Sequence, residues 1–284
     1  MSKEIWPANV TFCNAEPINY HFFSLSPRSW TAILRLTVKK QIHIKKGIKC
    51  LTFDIIGTVF DFYGSLSVSL KPLAKQYSLK IDAKAYALEW VDGYANASWQ
   101  STPGAKPWTA PDNILKKAFA ALLADDKLPP PSAHELTDFL NLWRRLDPWP
   151  EVLKAMHKLH KRFKLVVLSN MSIATQTALK DHSSLPFDVT LSAETVGKYK
   201  PDPAVYQHAM STLRLSAGEI MMVAAHKYDL KAAKSLGFRT AFVARPLERG
   251  PGGDVDTTPD PSFDINATSF EDLARQLTTR IGTI

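Results

Sequence analysis

Three polar clusters in this chain each follow a short apolar run, and together with a separate lysine they could build a nucleophile with its activators. Ile48-Lys49-Cys50-Leu51-Thr52-Phe53 ends in Asp54, with Gly57-Thr58 in the turn beyond. Lys164–Leu168 ends in Ser169-Asn170, Ile220–Val223 ends near Ala224-Ala225-His226 with Asp229 just after, and Lys200 stands alone before Pro201. In an open parallel sheet, groups just past the carboxyl ends of the strands meet in one crevice. A carboxylate, a hydroxyl–amide pair, a lysine and a second carboxylate converging there suit covalent catalysis by a nucleophile with its activators. Each position also has a plainer reading. Ser169-Asn170 suits a cap for a helix from Met171, Lys200 suits a helix start, and Asp229 suits a cap of the helix after it. His226 is either a satisfied polar residue or a site residue.

The elements that must position these groups alternate strand and helix. Strands are expected at Ile48–Phe53, Lys164–Leu168, Phe187–Leu191, Ile220–Val223, Thr240–Val243 and Asp264–Ala267. Helical periods fall at Pro150–Lys161, Ile173–Lys180, Pro203–Leu213, Leu230–Leu236 and Phe270–Thr279. This alternation predicts an α/β fold, a doubly wound, Rossmann-like parallel sheet with right-handed crossovers. The connection from the first strand to Pro150 is too long for a loop and is helical by period, over Leu66–Tyr77, Ala83–Ala97, Pro111–Ala124 and Ala133–Leu146. Breaks are expected at Thr102-Pro103-Gly104, Pro129-Pro130-Pro131 and Asp147-Pro148. The expected division is an N-terminal extension over 1–47, a core over 48–63 and 149–284, and an inserted helical cap over 64–148.

The net charge of +8 suggests an acidic partner until it is located. Residues 1–50 hold eight Lys/Arg against two acids, whereas the remainder holds 27 basic and 25 acidic side chains. The part that reads as folded is near neutral, so its charge favours neither nucleic acid nor membrane as a partner. The acid-poor start reads as a transit-like leader or as a disordered tail. Cys13 and Cys50 make no disulfide framework and no CxxC metal pattern. No apolar stretch near the start is long enough to span a bilayer, and a secretory pattern is absent. A reducing, cytoplasmic setting and a small-molecule substrate are expected.

The run Phe53-Asp54-Ile55-Ile56-Gly57-Thr58-Val59 resembles the first signature of the haloacid-dehalogenase superfamily. Leu168-Ser169-Asn170 resembles its second and Tyr199-Lys200-Pro201-Asp202-Pro203 its third, and Val223–Asp229 stands where the fourth belongs. The four occur in order over residues 48 to about 280. The likeness is nearest to the (S)-2-haloacid dehalogenase branch. Phosphatases of this fold place an aspartate two residues after the nucleophile to protonate the leaving alkoxide, whereas this chain has Ile56; a halide leaves without a proton. Val205-Tyr206 and the helical insertion also resemble that branch.

The resemblance implies that Asp54 attacks C2 of a 2-haloacid, with Lys200 holding it ionised and Asp229 positioning Lys200 or the hydrolytic water. It implies that Thr58, Ser169 and Asn170 orient nucleophile or substrate, that Tyr206 sits beside them and that His226 contacts substrate. No metal and no other cofactor is implied, since Lys200 carries the positive charge. A homodimer through the cap follows from the resemblance alone. The sequence departs from the branch at Val91, where the early cap helix otherwise carries a halide-binding arginine. It departs again at Ala224 and His226, where serine and asparagine are usual, and at Ile56, where an aromatic is usual. Arg144 or Arg145 on the last cap helix could replace the missing charge. The expected function is hydrolysis of a carbon–halogen bond in a small acid through an aspartyl ester. The alternatives are a Mg²⁺-dependent phosphatase and a vestigial binding protein.

Overall fold

The computed structural model describes residues 47–100 and 108–279. The extension expected over 1–47, up to residue 46, and the break at Thr102-Pro103-Gly104 lie outside them. Six strands form one sheet: β1 (Cys50–Phe53), β2 (Lys164–Ser169), β3 (Val189–Ser192), β4 (Ile220–Ala224), β5 (Arg239–Val243) and β6 (Ile265–Ala267). The order is β3-β2-β1-β4-β5-β6 and every pairing is parallel. The expected α/β, doubly wound, Rossmann-like core is the fold observed.

β1 and β4 are buried along their whole length, as unbroken apolar runs covered on both faces should be. The chain adds β2 and β3 on one side of β1, then returns to add β4, β5 and β6 on the other. That reversal opens a crevice at the carboxyl ends of β1 and β4. Phe53 pairs with Val167 on one side and Val223 on the other, so Asp54, the residue after β1, emerges at that crevice.

All the described structure from Phe62 to Arg145 is helical or linker. It comprises α1 (Phe62–Gln76), α2 (Ala83–Gln100), α3 (Pro111–Asp125), α4 (Ala133–Leu142) and a 3₁₀ turn at Trp143–Arg145. Its aromatic residues pack on one another. The Trp90 and Phe119 rings lie 4.5 Å apart, Phe119 stacks on Phe139 at 4.1 Å, and Trp143 meets Trp90 edge-on at 5.4 Å. The buried Trp90 indole N–H reaches Leu115 O at 2.8 Å; truncating such a side chain to alanine costs about 3–5 kcal/mol. Local signals set the ends: Asp61 caps α1 by accepting from Gly64 N, and Ser132 and Glu135 form a reciprocal capping box on α4.

The remaining helices are α5 (Val152–His160), α6 (Ile173–Ser183), α7 (Pro203–Leu213), α8 (Lys227–Ser235) and α9 (Phe270–Thr278). Several expected boundaries move, three of them near the strand ends or the arginines in question. β3 starts at Val189 rather than Phe187, with Asp188 N bonded to Leu165 O as the chain enters the sheet. α8 starts at Lys227 rather than Leu230, so Asp229 lies in its first turn and His226 is its cap residue. The polar Lys227-Tyr228-Asp229 hides that turn from an apolar period. The last helix of the insertion ends at Leu142 and tightens to 3₁₀, so Arg144 and Arg145 lie beyond it.

Candidate active site

Asp54 leaves β1 with its N–H still bonded to Val223 O at 3.0 Å. The chain then reverses through Gly57, whose φ of +77° suits glycine, and the turn is fastened by Trp149 Nε1 donating to Gly57 O at 2.9 Å. This brings Thr58 back over the strand end. Its hydroxyl donates to Asp54 Oδ2 at 2.8 Å and accepts from Ala225 N at 2.9 Å, tying the ends of β1 and β4 together.

Lys200 comes from the loop before α7. Asn170, at the end of β2, grips its backbone on both sides: Lys200 N donates to Asn170 Oδ1 at 2.7 Å, and Asn170 Nδ2 donates to Lys200 O at 3.3 Å. The ammonium donates to Asp54 Oδ1 at 3.0 Å and to Asp229 Oδ2 at 2.5 Å. Tyr206 donates to the other oxygen of Asp229 at 2.5 Å. Asp229 is therefore engaged on both oxygens and stands behind the lysine.

The carboxylates and their partners perturb one another. Burial pushes the Asp54 carboxyl up, but the Lys200 charge and the His226 hydrogen bond outweigh it, so the group stays well below the usual carboxylate range. Burial pulls Lys200 down, yet Asp229 and then Asp54 hold it above its ordinary value. Burial also raises Asp229, opposed by Lys200. At neutral pH Asp54 is an ionised, buried carboxylate beside a fully committed cation.

His226 lies on the opposite flank of Asp54. Its Nδ1 is 3.0 Å from Asp54 Oδ2 and its Nε2 is 2.8 Å from Glu248 Oε1. Two carboxylates on two ring nitrogens require both nitrogens to donate, which makes the ring an imidazolium. Burial lowers its pKa, but Glu248 and Asp54 raise it well above the ordinary histidine value. The ring stacks on Tyr228 at 5.7 Å, and Tyr228 meets Trp99 of α2 edge-on at 5.8 Å. Tyr94, also on α2, donates to Asn170 O at 2.8 Å. The helical insertion thus touches the strand ends around Asp54.

Of the residues expected from sequence, Asp54, Thr58, Lys200, Asp229, Asn170 and His226 share one hydrogen-bonded network, and Tyr206 joins it through Asp229. Ser169 is buried beside them, its hydroxyl accepting from Met171 N at 3.1 Å. The cap of α6 is Ser172, so Ser169 closes the turn before the helix rather than capping it. Val91 is half-buried and packs against the apolar core. Neither arginine proposed to replace it reaches the network. Arg144 pairs with Asp112 at 2.9 Å, Arg145 is exposed, and both line a surface depression with Asn141, Ala178, Asp181 and His182.

Three contributors were not singled out in the sequence. Glu248 and Arg245 follow β5, and the strand-end rule applied to that strand would have reached them. Arg245 Nε donates to Thr58 O at 2.8 Å and its NH1 pairs with Glu151 at 2.7 Å, bracing the nucleophile turn from below. Tyr94 carries no local signal, because only packing of α2 against β2 brings it near. Cys50 is buried in β1 and burial pushes its thiol up to about 12, which leaves it inert.

The residues do not suit a bridging divalent cation. The Lys200 ammonium stands between Asp54 and Asp229, and no three His, Cys, Asp or Glu among the described residues are grouped to hold a metal. Also among the described residues, no helix is long and apolar enough to cross a membrane.

A carboxylate at the end of the first strand, fixed by a threonine turn and a lysine from the third loop, defines an α/β hydrolase. The match of residues 48–237 to the haloacid dehalogenase-like hydrolase model agrees, and the chain belongs to that family. Among its relatives, the (S)-2-haloacid dehalogenase of Pseudomonas sp. (strain YL) is 28% identical over 206 residues, covering 70% of this chain and 83% of that protein. The crystal structure of an L-2-haloacid dehalogenase is 36% identical, with a TM-score of 0.77 over 81% of this chain and 99% of that one. A defluorinating L-2-haloacid dehalogenase is 31% identical, with a TM-score of 0.79 over 82% and 96%.

Proposed function

We propose that this hydrolase displaces halide from a small 2-haloacid through a covalent ester on Asp54. The observation that carries the reading is the pairing of an ionised Asp54 with the buried Lys200 ammonium at 3.0 Å, with apolar Ile56 at the position where a phosphatase needs an acid. In the first step an Asp54 oxygen attacks C2, the carbon–halogen bond breaks, and its electron pair leaves with the halide. In the second, water adds to the Asp54 carboxyl carbon and the carbon–oxygen bond to the product cleaves. The 2-hydroxyacid leaves and Asp54 re-ionises. The names of the relatives support the substrate class.

In this reading Lys200 holds the nucleophile ionised, Asp229 and Tyr206 hold Lys200, and Thr58 aims Asp54. Ser169 and Asn170 shape the end of β2 where the substrate carboxylate binds. The helices over 64–148 act as a cap on a core formed by 48–63 and 149–284. Val91 favours slow turnover, because halide leaves without an arginine beside it.

Chloride release from 2-chloropropionate, set beside phosphate release from p-nitrophenyl phosphate with EDTA and with Mg²⁺, tests the reading. Chloride release indifferent to EDTA is expected. Mg²⁺-dependent phosphate release without chloride would return the chain to the phosphatases, and no turnover of either would make it a binding protein.

A further inference from the structure

We propose that His226, positioned by Glu248, is a catalytic residue of ester hydrolysis, its Nδ1–H and the Thr58 hydroxyl forming the oxyanion site for Asp54 Oδ2. The inference rests on the aspartyl-ester reading above and assigns the second half-reaction.

The two oxygens of Asp54 are not equivalent. Among the described residues, Oδ1 accepts from the Lys200 ammonium alone, whereas Oδ2 accepts from both Thr58 at 2.8 Å and His226 at 3.0 Å. Two donors on one oxygen make Oδ2 the poorer nucleophile and the better-prepared acceptor of developing charge. Attack by Oδ1 on C2 leaves Oδ2 as the ester carbonyl. When water then adds to the carboxyl carbon, the carbonyl electron pair moves onto Oδ2, where both donors already stand at hydrogen-bond distance. Collapse restores the carbonyl and breaks the bond from the carboxyl carbon to Oδ1, which departs in the product hydroxyl. Of the water's two protons, one ends on that hydroxyl and the other leaves as Asp54 re-ionises. The water oxygen stays on Asp54.

Glu248 gives the histidine its charge at the moment it is needed. Esterification removes the negative charge of Asp54, so of the two carboxylates on the ring only Glu248 persists. Among the described residues, Tyr228 stacks on the ring and Lys200 lies across Asp54 from it. Glu248 reaches the ring through a notch that only glycine leaves open: a Cβ on Gly57 would sit 2.1 Å from Glu248 Oε1. The glycine of the nucleophile turn therefore serves the turn and the histidine together.

Wild type, His226→Ala and Glu248→Gln are mixed with excess 2-chloropropionate, chloride is followed from the first turnover, and intact mass reports the adduct on Asp54. In His226→Ala we expect a chloride burst near one per site, an accumulated adduct, and steady-state turnover slowed about 100-fold or more, the usual cost of one oxyanion donor. In Glu248→Gln the alkaline limb of turnover shifts to lower pH, a change that a merely structural glutamate would not produce. Loss of the burst itself in both variants, or slowed turnover without adduct, overturns the role of His226. Wild type that releases no chloride overturns the ester reading instead, and this inference with it.

Discussion

Lys200→Met removes one charge from the centre of the site and keeps most of the side-chain volume, so its consequences can be worked from the geometry. The side chains of Lys200, Asp229 and Asp54 are 1%, 0% and 12% exposed. Two carboxylates that shared one ammonium would be left facing each other in the interior. Breaking a buried pair by deleting one partner costs about 3–5 kcal/mol. Asp54 keeps Thr58 and His226, and Asp229 keeps Tyr206, which holds the loss within that range. For a chain of this size the melting temperature should fall by about 6–20 °C.

The sign of the pH dependence reverses as well. In the wild type the depressed Asp54 stabilises the fold above its unfolded pKa of about 3.9, and that stability is lost as pH falls through the folded value. In Lys200→Met burial is opposed only by His226 and Thr58, so both carboxyls rise. The variant should then lose less stability at pH 5 than at pH 8, and its turnover should gain an acidic limb. Thermal melts from pH 5 to 8 and kcat/KM profiles measure both. Adding Asp229→Asn should restore part of the stability without restoring activity. A melting temperature within about 2 °C of wild type at pH 8, less than a single kcal/mol would give, with no new acidic limb, would refute the claim that Lys200 sets the charge state of the nucleophile.

Asp54→Asn should abolish turnover, and hydrolysis in ¹⁸O water should label Asp54 of the wild type; label found only in product means direct attack by water. Its melting temperature should fall less than that of Lys200→Met, because Lys200 keeps Asp229 and His226 keeps Glu248. His226, raised above its ordinary value, stabilises the fold fully below about pH 6.5, and the benefit is lost as pH rises through the folded value. Melts between pH 7 and 10 should therefore slope downward, and less steeply in Glu248→Gln; equal slopes would contradict the pairing. Val91→Arg should raise chloride release from 2-chloropropionate about tenfold or more by supplying a cation for the departing halide. A native rate already brisk, and indifferent to truncating Arg144 and Arg145, would mean that other groups hold the halide.

The order of strands and helices, the fold class and the network around Asp54 were legible because each rests on local grammar. Buried parallel strands read as apolar runs, and the groups that follow them must meet at one sheet edge whatever the helices do. Asp54, Thr58, Lys200 and Asp229 could be chosen on residue type and place alone. What only the tertiary structure decided concerns direction and partnership. A period cannot say that Arg144 turns to Asp112, that Val91 faces apolar neighbours, or that Asp229 stands behind the lysine. Glu248 lies 22 residues beyond His226 in a loop without periodicity, so their contact needed the return of the chain past β5 and a glycine at position 57 to admit it. Such contacts form because packing of distant segments fixes where a side chain ends, and no local propensity carries that information.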